Sequence, residues 1–148
     1  MTVRNRKKHW VGLRPLILVM ALAGCGTTGQ SDTLFQELGG HEGIDRIVDE
    51  FILEIANDPR VLPRFEDSNV QRFREMITEH FCMVAEGPCE YTGDSMVEIH
   101  AGMELSSPEF NAVVEDLIAA MEQSDIPLAA QNRLLARLAR LRPEIIRI

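Results

Sequence analysis

Apolar residues recur every three or four positions through most of residues 44–141, which is the spacing of one face of an α-helix. The clearest stripe lies between residues 44 and 55, where acidic side chains occupy the opposite face. It ends at Asn57-Asp58-Pro59, a typical helix stop. The sequence therefore predicts an amphipathic helix whose apolar stripe is Ile44, Ile47, Val48, Phe51, Ile52 and Ile55.

A second long helix is predicted to begin at Ser68-Asn69-Val70-Gln71, which has a capping-box pattern, and to end before Gly87-Pro88. Its stripe also follows spacings of three and four residues. The loop GPCEYTGD, rich in turn residues, follows it. The apolar positions of this helix are Val70, Phe73, Ile77, Phe81 and Val84.

Shorter and later segments complete the predicted architecture. Asp32 is placed to cap a short helical turn, TLFQEL, and Ser107-Pro108 is placed to start another long helix. A final helix is predicted from about 128 to 141. No segment alternates apolar and polar residues over the length of a strand. The predicted fold is all-α, with about five substantial helices and short connections.

The first residues do not belong to this fold. The segment MTVRNRKKHWVGLRP carries five positive charges and no acid, and an apolar run then leads to Gly24-Cys25. This is the composition of a secretory signal, too short to span a membrane as a helix. The ending LAGC resembles the lipobox of bacterial lipoproteins, in which Cys25 becomes the lipidated first residue. An ordinary cleaved signal or an uncleaved anchor is the alternative. The predicted organisation is a lipoprotein signal peptide at 1–24, a flexible tether at 25–31 and one domain at 32–148.

The mature chain is strongly acidic. Residues 25–148 contain ten arginines, no lysine and all 23 acidic residues, which gives a formal charge of −13. Such a surface is repelled by nucleic acid and by anionic lipid headgroups. We therefore expect no nucleic-acid partner, and we expect contact with a membrane only through acyl chains on Cys25. The expected location is the bacterial cell envelope, facing the periplasm. By resemblance to sorted lipoproteins, Gly26 after the cysteine favours the outer membrane.

Cys82 and Cys89 are seven positions apart, in a chain predicted to reach an oxidising compartment. Disulfides persist in such compartments, so a bond between these two cysteines is one expectation. Two buried free thiols are the other. Neither cysteine has a histidine at a spacing known for a nucleophile, and the histidines are too scattered to indicate a zinc site.

One histidine lies on an otherwise apolar helix face. In SMVEIHAGM, Met96, His100 and Met103 share a face, with Ile99 beside it. His100 is either a core histidine with a hydrogen-bond partner or the single ligand of a haem iron held in an apolar slot. The other two histidines of the mature chain are interpreted differently. His41 is expected to be capping or exposed, and His80, off the main stripe, to be partly exposed.

The order of LFQELGGHEGIDRIVDEF, DPRVLPRF, GPCEYTG, MVEIHAGM and FNAVVEDL resembles the group I truncated haemoglobins over nearly all of residues 33–148. The resemblance implies a globin-like, truncated two-on-two helical sandwich around haem b, with His100 as the proximal iron ligand. Gly39-Gly40 match the family's first glycine motif, whereas Glu86 stands in the second. The expected cofactor-binding residues are Phe65, Phe73, Ile77, Phe81, Tyr91, Met96, Val113 and Leu117.

The sequence departs from the family on the side where a gas would bind. Ile52 stands where many members carry a tyrosine that hydrogen-bonds dioxygen, and Ile77 stands where many carry a glutamine. With Phe73 these residues form the expected ligand pocket, which is apolar. A missing charge-assisted hydrogen bond costs roughly 1.5–3 kcal/mol and would weaken dioxygen binding. Met76 is either a core filler or an iron ligand from this side.

The expected function is reversible binding of oxygen, nitric oxide or carbon monoxide. A nitric-oxide dioxygenase, a peroxidase or an electron-transfer haem protein on the same site is the first alternative, and each would need an electron donor. A haem-free helical interaction lipoprotein is the second.

Overall fold

A computed structural model describes residues 32–147 of the protein. The predicted signal peptide, the tether and the lipidation site at Cys25 lie outside the described residues. The described segment contains the helices α1 (Leu34–Glu37), α2 (Gly40–Asn57), α3 (Val70–Val84), α4 (Met96–His100), α5 (Ser107–Gln123) and α6 (Leu128–Leu138). Two 3-10 helices, Leu62–Arg64 and Ala139–Glu144, follow α2 and α6. No strand occurs between residues 32 and 147, so the all-α prediction is confirmed for that segment.

Side-chain caps begin four of the six α-helices of the described segment, and three of these caps lie one residue away from the predicted positions. Thr33, not Asp32, caps α1, because its hydroxyl reaches the backbone N–H of Gln36. Ser106, not Ser107, caps α5 and forms a capping box with Glu109. Asn69, not Ser68, caps α3 by accepting a hydrogen bond from the backbone of Arg72 at 3.0 Å, so the predicted capping box with Gln71 does not form. In all three helices the cap lies three residues before the N–H that it satisfies.

The core lies where α2 packs against both α3 and α5, with α6 closing against α1, α3 and α5. The stripe predicted for α2 is its buried face, except that Ile52 is only half-buried. The last predicted helix is shorter than expected, because residues 139–144 continue as a 3-10 helix that contains Pro143. The largest fully buried side chains are Leu34, Leu38, Ile44, Ile47, Met121, Leu134, Val48, Val61 and Cys82.

The backbone at the end of α1 approaches the first turn of α2 closely, and we call this approach the close crossing. Gly39 and Gly40 have φ values of 90° and 67°, which let the chain reverse between the two helices. A Cβ atom on Gly43 would lie 1.8 Å from the carbonyl oxygen of Leu38, so no side chain fits there. Glu86, which stands in the second glycine motif, also adopts a left-handed φ of 61°. Its carboxylate forms an ion pair with Arg137 at 2.8 Å.

Cys82 and Cys89 form a disulfide, with their Cα atoms 5.9 Å apart. The bond joins the end of α3 to the loop that precedes α4. Within residues 32–147, none of the helices combines the length and the apolar character that crossing a bilayer requires.

Candidate functional site

The inner faces of α3, α4 and α5 line an apolar cavity of about 170 Å³. Phe51 of α2, Phe65 and the C-terminal segment complete its wall. A second cavity of about 130 Å³, between α3, α4 and Tyr91, shares Phe73, Ile77, His80, Met96 and His100 with the first. We call these two adjoining cavities the slot. The full set of residues that line it is Phe51, Phe65, Phe73, Met76, Ile77, His80, Phe81, Tyr91, Met96, Ile99, His100, Phe110, Val113, Val114, Leu117, Leu138, Leu141 and Ile145.

The slot contains every residue that the sequence marked for cofactor contact. These residues come from α3, α4, α5 and two connecting segments, so the fold brings together positions that are far apart along the chain. Sequence reasoning did not assign Phe51, Phe110 or Val114 to the site. Phe51 belongs to the apolar stripe predicted for α2, but a stripe does not tell which neighbour its residues will face. The C-terminal Leu138, Leu141 and Ile145 were also missed.

His100 is the last residue of α4 and is half-buried at the slot wall. Its Nδ1 atom lies 2.7 Å from the backbone carbonyl oxygen of Met96, one helical turn earlier. Because a carbonyl only accepts, this contact requires Nδ1 to carry the proton and leaves the lone pair on Nε2. A metal-binding histidine is oriented by the same kind of contact. The Ser95–Glu98 capping box fixes the start of this short helix.

His80 is buried, with 5% of its surface exposed, so the prediction of partial exposure is wrong. The loop after α3 covers it, and the ring of Tyr91 packs edge-on against the imidazole at a centroid distance of 5.2 Å. His80 lies off the apolar stripe of α3, and helical periodicity does not report that a loop covers it. Burial lowers the pKa of His80 and favours the neutral imidazole. Its Nδ1 atom is buried without a hydrogen-bond partner among the described residues.

Hydrogen bonds fix the loop that carries Tyr91. Its hydroxyl donates to the backbone carbonyl of Asp94 at 2.8 Å, and burial raises the pKa of Tyr91. The backbone N–H and the hydroxyl of Thr92 both donate to the carboxylate of Glu79 on α3, each at 2.9 Å. These two bonds hold the pKa of Glu79 below its ordinary value. The loop is therefore tied to the helix that forms one wall of the slot.

Ile52 does not line the slot. It faces a neighbouring cavity of about 80 Å³, whose other residues include Leu62 and Val70. Phe65 and Phe73 line both this cavity and the slot, and their rings meet edge to face at 5.1 Å. The preceding residue, Phe51, is the one on α2 that lines the slot.

His41 and the two cysteines lie outside the slot. His41 is exposed, and its Nδ1 atom lies 3.9 Å from the sulfur of Cys89. The three potential ligand atoms of His41, Cys82 and Cys89 are within 4.8 Å of one another, but sulfurs paired in a disulfide are not thiolate ligands.

A larger depression of about 380 Å³, beside Arg46 and Gln123, is open to solvent and shares no residue with the slot. We assign no site to it.

The residues of the slot fit a haem group. Apart from the two histidines, its wall is almost wholly apolar, which suits a flat and largely apolar ring. The Nε2 lone pair of His100 supplies the nitrogen that haem iron takes from one side. The imidazole of His80 also lines the slot, and its Nδ1 atom has no hydrogen-bond partner among the described residues. The fold and the site thus define a helical haem protein.

Comparison with known proteins identifies the family. Residues 33–147 match the family model described as bacterial-like globin, and the chain belongs to that family. It is a haem-binding globin with the truncated two-on-two helical sandwich that its sequence predicted.

Individual relatives agree with this assignment. A group 1 truncated haemoglobin of Mycolicibacterium paratuberculosis is 27% identical over 113 residues, which cover 76% of this chain and 83% of the relative. One of Tetrahymena thermophila is 31% identical over 91 residues, covering 62% of this chain and 75% of the relative. The crystal structure of the truncated haemoglobin of Tetrahymena pyriformis in its Fe(III) form matches with a TM-score of 0.76 and 26% identity. That match covers 79% of this chain and all of the other.

Proposed function

We propose that this globin holds haem b through His100 and binds a diatomic gas reversibly. The observation that carries the proposal is the hydrogen bond between His100 Nδ1 and the carbonyl oxygen of Met96, which leaves Nε2 free for the iron. When bound, haem with one histidine ligand supplies an iron with an open position for oxygen, nitric oxide or carbon monoxide. The similarity to group 1 truncated haemoglobins supports the same function.

The side chains of the slot set which gas this chain favours. Phe51, Phe73 and Ile77 line the slot with apolar surface and donate no hydrogen bond. The hydroxyl of Tyr91 is already engaged with Asp94. A charge-assisted hydrogen bond is worth roughly 1.5–3 kcal/mol, so Phe73 and Ile77 forgo about tenfold or more in dioxygen affinity relative to a donor at either position. Carbon monoxide and nitric oxide depend less on such a bond, and we expect the chain to favour them relative to dioxygen.

A second part of the proposal concerns location. The LAGC motif and the basic and apolar residues before it support a lipid anchor on Cys25 and a periplasm-facing globin domain. Cys25→Ala should prevent acylation, which can be followed by incorporation of labelled palmitate in a bacterial host. Incorporation equal to that of the wild-type protein would contradict the anchor.

The His100 assignment is tested by absorption spectroscopy. We expect His100→Ala to lose the spectrum of a histidine-ligated ferrous haem, and added imidazole to restore it in part by filling the space left by the side chain. His41→Ala is the matched control, because that histidine is exposed and lies outside the slot. An unaltered histidine-ligated spectrum in His100→Ala, or an equal loss in His41→Ala, would refute the assignment.

A further inference from the structure

The disulfide lies beside an exposed histidine that the proposed function does not use. His41 comes from the first turn of α2, Cys82 from the last turn of α3, and Cys89 from the loop before α4. The Nδ1 atom of His41 is 3.9 Å from the sulfur of Cys89, and one ligand atom from each of the three residues lies within 4.8 Å of the other two. Three separate segments of the described chain therefore bring two sulfurs and one imidazole nitrogen to one place.

Packing around the three residues holds two of them in position. A Cβ atom on Gly87 would lie 2.6 Å from the sulfur of Cys82 and 2.5 Å from the ring of Phe35, so only glycine fits between them. The Phe35 ring meets the His41 imidazole edge to face at a centroid distance of 5.0 Å. Cys82 is buried and Cys89 is half-buried, whereas His41 is exposed. The cluster is thus anchored in the core through Cys82 and reached by solvent from the side of His41.

The spacing of the three atoms suits a zinc ion once the disulfide is reduced. Atoms that lie within 4.8 Å of one another all fit within about 2.8 Å of a common centre. Zinc binds thiolate sulfur at about 2.3 Å and imidazole nitrogen at about 2.0–2.1 Å, in tetrahedral geometry. Its two thiolates would therefore be about 3.8 Å apart, farther than two bonded sulfurs. We expect Cys89 to take up this separation, because it lies in a loop and the side chain of Cys82 is held in the core.

The types of ligand also favour zinc. Thiolates select zinc and Cu(I), and imidazole together with thiolate in a tetrahedral set is typical of zinc. Two thiolates and a neutral imidazole carry a charge of −2, which one zinc ion neutralises. Two cysteines and one histidine leave the fourth tetrahedral position to water, on the side where His41 is exposed. The acidic mature chain would attract such a cation to its surface.

We propose that His41, Cys82 and Cys89 form a zinc site, which exists when the two cysteines are thiols and is abolished when they form the disulfide. A dithiol supplies the two electrons. Its first thiol attacks the more accessible sulfur, that of Cys89, and Cys82 leaves and takes up the proton that the attacking thiol lost. The second thiol then releases Cys89, which takes up the second proton, and the dithiol becomes a disulfide. Zinc displaces one proton from each cysteine thiol, so two protons are released for each ion bound.

Equilibrium dialysis of the full-length protein against buffered zinc tests the site. We expect one zinc ion per chain, measured by inductively coupled plasma mass spectrometry, in protein reduced with a phosphine, and none in oxidised protein at the same free zinc concentration. His41→Ala should weaken zinc binding about tenfold or more, because it removes one of three protein ligands. Glu42→Gln is the matched control, because it removes a charge from the exposed neighbouring residue and should leave zinc affinity unchanged.

Proton release and thiol protection give independent readouts. Isothermal titration calorimetry in two buffers of different ionisation enthalpy should show about two protons released per zinc at neutral pH, since free cysteine thiols have a pKa of about 8.5. Bound zinc should slow alkylation of both cysteines by iodoacetamide roughly tenfold or more, because it engages the thiolate lone pairs. Cys89→Ser should release at most one proton and lose most of its zinc.

Several results would overturn the proposal. Equal zinc binding by oxidised and reduced protein would show that the cysteines are not ligands, and wild-type affinity in His41→Ala would remove the histidine from the site. Binding of Cu(I) but not zinc by the reduced protein would contradict the choice of metal. Reduced protein that unfolds, by far-ultraviolet circular dichroism, and does not refold with zinc would show that no such site forms. None of these measurements needs bound haem, so they stand apart from the test of His100.

Discussion

Breaking the disulfide is expected to destabilise the domain by an amount that follows from the chain it closes. Cys82 is 1% exposed in the core, whereas Cys89 is half-buried in the loop before α4. Cys89→Ser therefore opens the bond and leaves the packing around Cys82 in place. The two cysteines are separated by seven positions. For a loop of that length, the chain-entropy model gives a loss of about 2–3 kcal/mol in the free energy of unfolding.

Urea denaturation of the holoprotein measures this loss. The midpoint should fall for Cys89→Ser, while the slope with urea concentration stays nearly unchanged if the unfolded state exposes similar surface. Wild-type protein held in a phosphine reductant is the matched control, since it lacks the same bond but keeps both sulfur atoms. Its free energy of unfolding should agree with that of Cys89→Ser within about 0.5 kcal/mol.

Equal stability of oxidised wild type and Cys89→Ser would show that the disulfide does not stabilise the domain. A second contradicting result is a reduced wild type as stable as the oxidised form while Cys89→Ser loses about 2–3 kcal/mol. That pattern would trace the loss to the serine and not to the open loop.

Two further predictions concern the scaffold. Gly43→Ala places a Cβ atom against the Leu38 carbonyl and should cost about 3 kcal/mol or more in unfolding free energy. Gly102→Ala is the control, because Gly102 has a φ of 76° but open space around it, and it should cost only about 1–2 kcal/mol. Equal losses in thermal or urea melts would argue against the close crossing. Burial and the nearby Asp58 raise the pKa of Asp116 from 3.8 to about 6. The folded state therefore binds the proton of the Asp116 carboxyl more tightly than the unfolded state does. The free energy of unfolding consequently falls as pH rises through that interval. Asp116→Asn should therefore gain stability relative to wild type between about pH 4 and pH 7, and a difference independent of pH in urea melts would contradict this assignment.

The helices could be predicted because their apolar stripes are long and regular. The stripes of α2 and α3 gave both elements within a few residues, and the turn residues after them marked their ends. The start of α1 was placed one residue early, because Asp32 and Thr33 are both good caps and the choice depends on which N–H each can reach.

The site could be predicted only in part. His100 stands out in sequence because its helix face is otherwise apolar. His80 does not stand out, because its burial comes from the loop that holds Tyr91, far from any stripe. Ile52 shares its stripe with Phe51, yet adjacent residues on a helix point about 100° apart, and they line different cavities. Such choices depend on tertiary packing, which periodicity does not encode.

The short helix that carries His100 has a further consequence. α4 is five residues long and contains no fully buried residue, so its own backbone hydrogen bonds hold it only weakly. Around it, Arg64 contacts the carbonyl of Met103 at 3.4 Å, and the backbone of Arg147 donates to Leu105 at 3.2 Å. We expect a segment with so few buried side chains to open locally at less free-energy cost than the core helices. The same local opening would admit the haem ring to the slot. A bond between the haem iron and His100 would then favour the closed form of α4. Haem binding and local folding of α4 would therefore be thermodynamically linked.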